Sequence, residues 1–138
     1  MKKTYPYTIE KDEEGFFFVQ FVDIEEAFTE GETLEEAIYN ADEVLSAMLA
    51  YRMDKSQEIP EPSDCPKNGQ MGTPNPEVQA ALLLRKARGS KPLSELATAM
   101  KTSWPAAQRL EDPHHWPNLK QLDKAARALG KKLVLSLE

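Results

Sequence analysis

The sequence predicts an α+β protein of two modules: a β-rich unit closed by one helix, a proline-rich linker, then an all-helical unit with a terminal strand. Three observations predict it. The front of the chain carries aromatic and β-branched runs, whereas the last third carries apolar residues at three- and four-residue spacing. Residues 57–76, "QEIPEPSDCPKNGQMGTPNP", hold five prolines and two glycines and cannot form a helix. The charge also changes sign along the chain. Residues 1–75 contain 6 Lys+Arg against 17 Asp+Glu, a balance of −11, and residues 76–138 contain 11 against 6, a balance of +5. The expected division is residues 1–56, a linker at 57–76, and residues 77–138.

The first module begins with "TYPYTIE" and "FFFVQFV", which flank the polar turn "KDEEG", where Gly15 can take a positive φ; this predicts a β-hairpin. Phe17, Val19 and Phe21 fall on one face, and Phe16, Phe18, Gln20 and Val22 on the other. Because both faces are largely apolar, each is expected to meet a helix or a partner. "AFTEGE" predicts a short third strand ending at Gly31. A helix then starts at "TLEE", with Thr33 and Glu36 placed for a reciprocal capping box. Leu34, Ala37, Ile38, Ala41, Leu45, Met48 and Tyr51 form its predicted sheet-facing stripe, and Glu35, Asp42 and Glu43 its acidic outer face. Within the linker, "EIPEPS" is a candidate edge segment on the sheet.

The second module reads as "EVQAALLLRKAR" stopped by Gly89, then "LSELATAM", "SWPAAQRLE", and "LKQLDKAARALG" with Leu119, Leu122, Ala125, Ala126 and Leu129 as its stripe. The chain ends in "KKLVLSLE", where Leu133, Leu135 and Leu137 alternate as in a strand. A helical module offers that strand no partner, so pairing with a second copy is expected, giving at least a dimer.

Composition excludes several classes. The apolar runs are far shorter than the ~18 residues of a membrane-spanning helix. The N-terminus has Lys2 and Lys3 but no apolar core of a secretory signal. The lone Cys65 excludes an internal disulfide framework, fits a reducing cytoplasm, and reads as an exposed, unreactive thiol. Asp12 in the hairpin turn and Asp23 at the far end of the next strand do not converge on a metal. His114 and His115 lack further ligands at suitable spacing, and Trp116 is expected to plug their loop into the core. No catalytic residue, metal or cofactor is assigned.

In the second module, Ala97 and Ala99 are small enough for a closely crossing helix, and Ser103 fits as N-cap of the next one. Ala107 and Leu110 face inward, and Gln108, Arg109 and Glu111 outward. "LSELATAMKTSWPAAQRLE" followed by "LKQLDKAARALGKKL" resembles the lambda-repressor-like (Cro/C1-type, XRE) helix-turn-helix family. The resemblance implies that Trp104, Pro105 and Arg109 point into a DNA major groove. Lys101 stands where that turn usually has glycine, and Pro92 where a polar starter is usual. Pro105 is tolerated in the first turn, where its missing N–H costs little. Arg109 is the candidate for reading guanine, with Lys101, Gln108 and Arg88 as phosphate contacts.

"FVDIEEAFTEGETLEEAIYNADEVL" is similar to the N-terminal domain of HicB antitoxins on Asp23, Thr29, Gly31, Thr33, Glu35, Glu36 and Ala37. Glu25 and Glu26 replace the common Pro-Gly of its turn. The order of both modules follows that family along essentially the whole chain. The resemblance implies a non-enzymatic antitoxin with a partial ribonuclease-H-like first domain. It would bind a small basic RNA-cleaving HicA-like toxin and repress its own operon at operator DNA. The acidic candidates for the toxin are Asp23, Glu25, Glu26, Glu35 and Asp42. Two alternatives stay open: a residual metal-dependent nuclease with a DNA-binding domain, and a stand-alone repressor with a ligand-sensing front domain.

Overall fold

The two aromatic runs pair as an antiparallel hairpin, β1 (Tyr5–Lys11) and β2 (Phe17–Phe21), in the register Tyr7↔Phe21 and Ile9↔Val19. The turn between them is held by the Asp12 carboxylate, which accepts from the N–H groups of Glu14 and Phe16, both at 2.9 Å. The structure is a computed structural model and describes residues 4–138. Lys2 and Lys3 lie outside the described residues. The chain divides into two units, one ending at Asn75 and the other beginning at Pro76.

In the first unit, β3 (Phe28–Gly31) pairs with β2, and α1 (Leu34–Asp54) follows at once. Thr33 Oγ1 accepts from Glu36 N–H at 3.1 Å, the forward half of the expected capping box. Gly31 is required by proximity rather than by backbone angle. A Cβ there would lie 2.5 Å from Ala37 N and 2.9 Å from Ala37 Cα, so the first turn of α1 lies directly on β3. Asn40, one turn on, donates its side-chain amide to the Glu30 carbonyl at 3.0 Å and ties the helix to the edge strand.

The buried row of α1 is Ala37, Ala41, Leu45, Leu49 and Met53, with Ser46 and Ala50 beside it. This corrects the expected stripe, since Leu34 and Tyr51 are exposed. A row of steps of four slants along a helix, and it is this row that meets the sheet. Opposite it, Tyr5, Tyr7, Val19 and Phe21 are buried; the Tyr7 and Phe21 rings lie 5.1 Å apart.

The proline-rich segment read as a linker is part of this unit. Residues 69–72 form β4 (Gly69–Gly72), which pairs antiparallel with β1 and completes the sheet order β3-β2-β1-β4. The two glycines, which help exclude a helix, here permit close packing. A Cβ on Gly72 would come within 2.8 Å of two Phe21 ring atoms. "EIPEPS" is not a strand, although Pro60 in it accepts a hydrogen bond from Tyr5 Oη at 2.7 Å.

The second unit contains α2 (Pro76–Arg88), α3 (Leu93–Ala99), α4 (Trp104–Leu110) and α5 (Leu119–Ala128). Leu84, Leu96, Met100, Leu110, Ala125 and Leu129 form its core. Ala97 is buried but Ala99 is exposed, so one of the two predicted small contacts is made. Asn118 and Gln121 form a reciprocal capping box at the start of α5, with bonds of 2.7 and 3.0 Å. Residues 131–138 adopt no strand; a strand exists only against a paired backbone, and the elements of this unit are helices. Trp116 does not plug its loop into the core but is 65% exposed. None of the helices is long and apolar enough to cross a membrane, among the described residues.

Replacing Gly31 with alanine should cost about 1–3 kcal/mol in urea denaturation, because its Cβ would meet helix backbone that cannot rotate away. Gly72→Ala should cost less, since its Cβ meets the side chains of Phe21 and Leu45.

Candidate functional site

Three of the five acidic candidates in the first unit are engaged within it. Asp23 follows β2 and accepts from Ser63 N–H at 2.9 Å and from the Ser63 hydroxyl. Glu26 makes a two-pronged ion pair with Arg52, both bonds 2.7 Å, and Arg52 also donates to the Glu58 carbonyl at 3.2 Å. The Arg52 hydrogen bond holds the Glu26 carboxyl below its ordinary range. Asp42 accepts from Thr73 N–H at 2.8 Å. Burial raises the Asp42 carboxyl, against the pull of the Thr73 N–H and with a further rise from Glu43. Ser46, one turn on, accepts from Asn75 N–H at 2.8 Å. These groups fasten the segment after α1 at Glu58, Ser63, Thr73 and Asn75. Glu25 and Glu35 are exposed.

The turn carrying Glu25 and Glu26 needs no glycine. Among the described residues, positive φ outside glycine occurs at Ser56 and Lys101. Ile24 and Ala27 are buried beneath the turn, and the Gln20 amide donates to the carbonyls of Phe21 and Glu25, both at 3.1 Å. Asp12 and Asp23 sit at opposite ends of β2, the first holding its own turn and the second holding Ser63.

Among the described residues no helix of the unit covers the second face of the sheet, although Pro6 on it is fully buried and Pro66 lies over Gly69. The strand registers place three rows on that face: Met71 and Pro6 beside Val22; Gly69, Thr8, Gln20 and Phe28; and Glu10, Phe18 and Glu30. Phe18 is 42% exposed and Phe28 54%, with ring centroids 6.3 Å apart, and Val22 and Met71 are exposed beside them. The apolar "FFFVQFV" run signalled this face. Met71 joins it from β4, in a segment whose prolines and glycines predict a linker and so give no sign of it.

In the second unit, α4 presents its polar side outward. Ser103 Oγ accepts from Ala106 N–H at 3.3 Å, with Trp104 and Pro105 in the first turn. Trp104, Pro105, Gln108 and Arg109 are exposed, whereas Ala107 and Leu110 are buried. Glu111 corrects the expectation of an outward residue: it is only 5% exposed. Arg88 grips its carboxylate at 2.6 and 2.8 Å, and Arg85 Nε donates to its carbonyl at 3.1 Å. Arg88 is thus held in the fold rather than offered to phosphate. The loop holding His114 and His115 is organised by Asp112, whose carboxylate accepts from His114 N–H at 2.9 Å.

The turn before α4 passes through Lys101 at φ +54°. Lys101 N–H donates to the Thr98 carbonyl and Thr102 N–H to the Ala97 carbonyl, both at 3.0 Å, the helix-ending pattern that favours glycine at this position. Lys101 is exposed on that strained backbone. Leu133 is half-buried, and Val134, Leu135 and Leu137 are exposed.

A family model described as a HicB-like antitoxin of a bacterial toxin-antitoxin system matches residues 4–73, ending one residue beyond β4. The chain is 33% identical over 135 residues to Antitoxin HicB 1 of Photorhabdus laumondii, covering 97% of this chain and 86% of that protein. It is 32% identical over 133 residues to Antitoxin HicB of Escherichia coli K12, with 95% and 96% covered. To Antitoxin HicB of Pseudomonas fluorescens it is 27% identical over 140 residues, with 97% and 94% covered.

Two measurements probe these local arrangements. Because the Glu26 carboxyl is lowered by folding, its stabilisation is full above about pH 4.5 and is lost as pH falls through the folded value. Glu26→Gln should therefore lower stability at pH 7 by about 0.5–1 kcal/mol, discounted for solvent exposure, and the gap to wild type should close in acid. Asp42 contributes with the opposite sign, so the difference between the two proteins, rather than either pH curve alone, isolates Glu26. Lys101→Gly should raise the stability of the second unit by about 0.5–1 kcal/mol, the relieved backbone strain less the greater entropy of glycine in the unfolded chain.

Proposed function

The chain belongs to the HicB-like antitoxin family, and from that premise we propose that it is the antitoxin of a toxin–antitoxin pair that also represses its own operon. Its first unit, the partial ribonuclease-H-like domain of that family, binds and masks a small basic RNA-cleaving toxin of the HicA type. A balance of −11 over residues 1–75 steers such a partner toward this unit and disfavours nucleic acid there. The role is that of a binding protein in the cytoplasm, with no catalytic group of its own.

The second unit acts as a lambda-repressor-like helix-turn-helix domain. The observation that carries this half is the division of α4. Ala107 and Leu110 anchor it, while Trp104, Pro105, Gln108 and Arg109 remain on the outside. Pro105 has no N–H and Trp104 is bulky, so these two shape the helix tip and brace it against the groove wall. Arg109 is the base reader, able to give guanine two hydrogen bonds, with Lys101 and Gln108 on phosphate. The alternating Leu133, Leu135 and Leu137 of two copies pair as strands and make the repressor at least a dimer, which places two α4 helices on one operator.

Arg109→Ala should abolish specific operator binding in a mobility-shift assay while leaving toxin neutralisation intact; a mutant with wild-type operator affinity overturns the assignment. The antitoxin role is tested by co-purifying the full chain with the small basic protein encoded beside it. The expected result is a stable complex that no longer cleaves RNA, and separate elution of the two proteins refutes the role.

A further inference from the structure

We propose that the exposed Phe18–Phe28 region of the second sheet face is where the basic partner docks, with an arginine or lysine of that partner seated on the phenylalanine pair between Glu10 and Glu30. This rests on the antitoxin reading and names the surface and the contact chemistry through which the toxin is held.

The registers Glu10↔Phe18 and Phe18↔Glu30 put a carboxylate on each side of one phenylalanine, in a single row across three strands. Neighbouring strands are about 4.8 Å apart, so the two glutamates straddle a gap of about 10 Å floored by an aromatic ring. That spacing admits one guanidinium or ammonium group. The negative face of the ring attracts a cation, and each carboxylate can accept its N–H groups. Phe28 lies diagonally beside Phe18 at 6.3 Å and widens the platform. Val22 and Met71 extend the apolar patch along the strands.

Charge selects the occupant. Two copies meeting on this face would oppose their Glu10–Phe18–Glu30 rows and bring together two units that each carry −11. Phosphates of a nucleic acid would meet the same carboxylates. A cationic protein surface is attracted by the rim and buries the aromatic pair at the centre, where interface energy concentrates. Asp23, Glu26 and Asp42 hold the unit's own backbone and side chains, so the rim glutamates are better placed than those three to meet a partner.

The test titrates the full-length chain with the small basic protein encoded beside it, in a calorimeter at low and moderate salt. Phe18→Ala with Phe28→Ala should weaken binding by more than about 30-fold. Glu10→Gln with Glu30→Gln should weaken it by about 10-fold and flatten its salt dependence. Glu13→Gln with Glu14→Gln, which removes the same charge from the hairpin turn, should change it by less than about 2-fold. Wild-type affinity in both the phenylalanine and the rim variants overturns the docking surface and leaves the antitoxin role standing. Absence of binding by the wild-type chain overturns both. A smaller mass for the phenylalanine variant alone, measured by sedimentation, makes a second copy the occupant and also overturns the proposal. Should the phenylalanine variant fail to fold, the rim variant, which leaves the aromatic pair in place, decides the outcome: wild-type affinity and salt dependence in it overturn the docking surface.

Discussion

The contact on which the first unit depends is the approach of α1 to β3 at Gly31. Only a residue without a Cβ lets the Ala37 backbone lie directly against the strand. Thr33 then starts the helix two residues after the strand ends, and Asn40 fastens it to the edge carbonyl of Glu30. With its first turn fixed this way, α1 can cover one face of the sheet only. The row of Ala37, Ala41, Leu45, Leu49 and Met53 is buried against Tyr5, Tyr7, Val19 and Phe21, and on the other face Phe18 and Phe28 stay exposed while Pro6 is buried and Pro66 lies over Gly69.

The same placement carries the chain across the sheet for 21 residues of helix and leaves it to rejoin the sheet as β4 at the opposite edge from β3. Prolines stiffen the return path but provide no N–H groups with which to anchor it. Side chains elsewhere in the unit supply the anchors, several of them charged. Asp23 holds Ser63, Arg52 on Glu26 holds Glu58, and Asp42 holds Thr73. A strongly acidic unit thus commits part of its charge to its own architecture. The remainder, including Glu10, Glu25, Glu30 and Glu35, lies on the surface.

Much of this was legible in the sequence because it was local. The hairpin, the third strand, the Thr33 cap and the helices of the second unit follow from residue type and spacing over a few positions. What was not legible depended on distant partners. "NGQMG" has no strand propensity of its own and becomes β4 only because β1 offers an unpaired edge. The acidic residues of "VDIEE" and α1 looked like an outward surface, because nothing in their spacing announces Ser63 or Thr73. Trp116 looked like core by its chemistry, yet the core was already filled by Leu84, Leu96, Met100, Leu110, Ala125 and Leu129. The alternation of residues 133–137 was visible, but a strand cannot be formed by one backbone alone.

In the second unit the placement of Glu111 has the largest consequence for the candidate site. Its spacing groups it with Gln108 and Arg109 as outward, yet at the end of α4 it turns inward and pairs with Arg88. Removing either partner would leave a largely buried charge unpaired, so the pair fixes the end of α4 against α2. It also takes away the carboxylate nearest in sequence that could have neutralised Arg109. The Arg109 guanidinium is left exposed on a helix whose start is capped by Ser103 and whose end is held by Arg88. The inward turn of Glu111 thus fixes the end of α4 and leaves the Arg109 side chain in solvent, the two conditions that the proposed base contact requires.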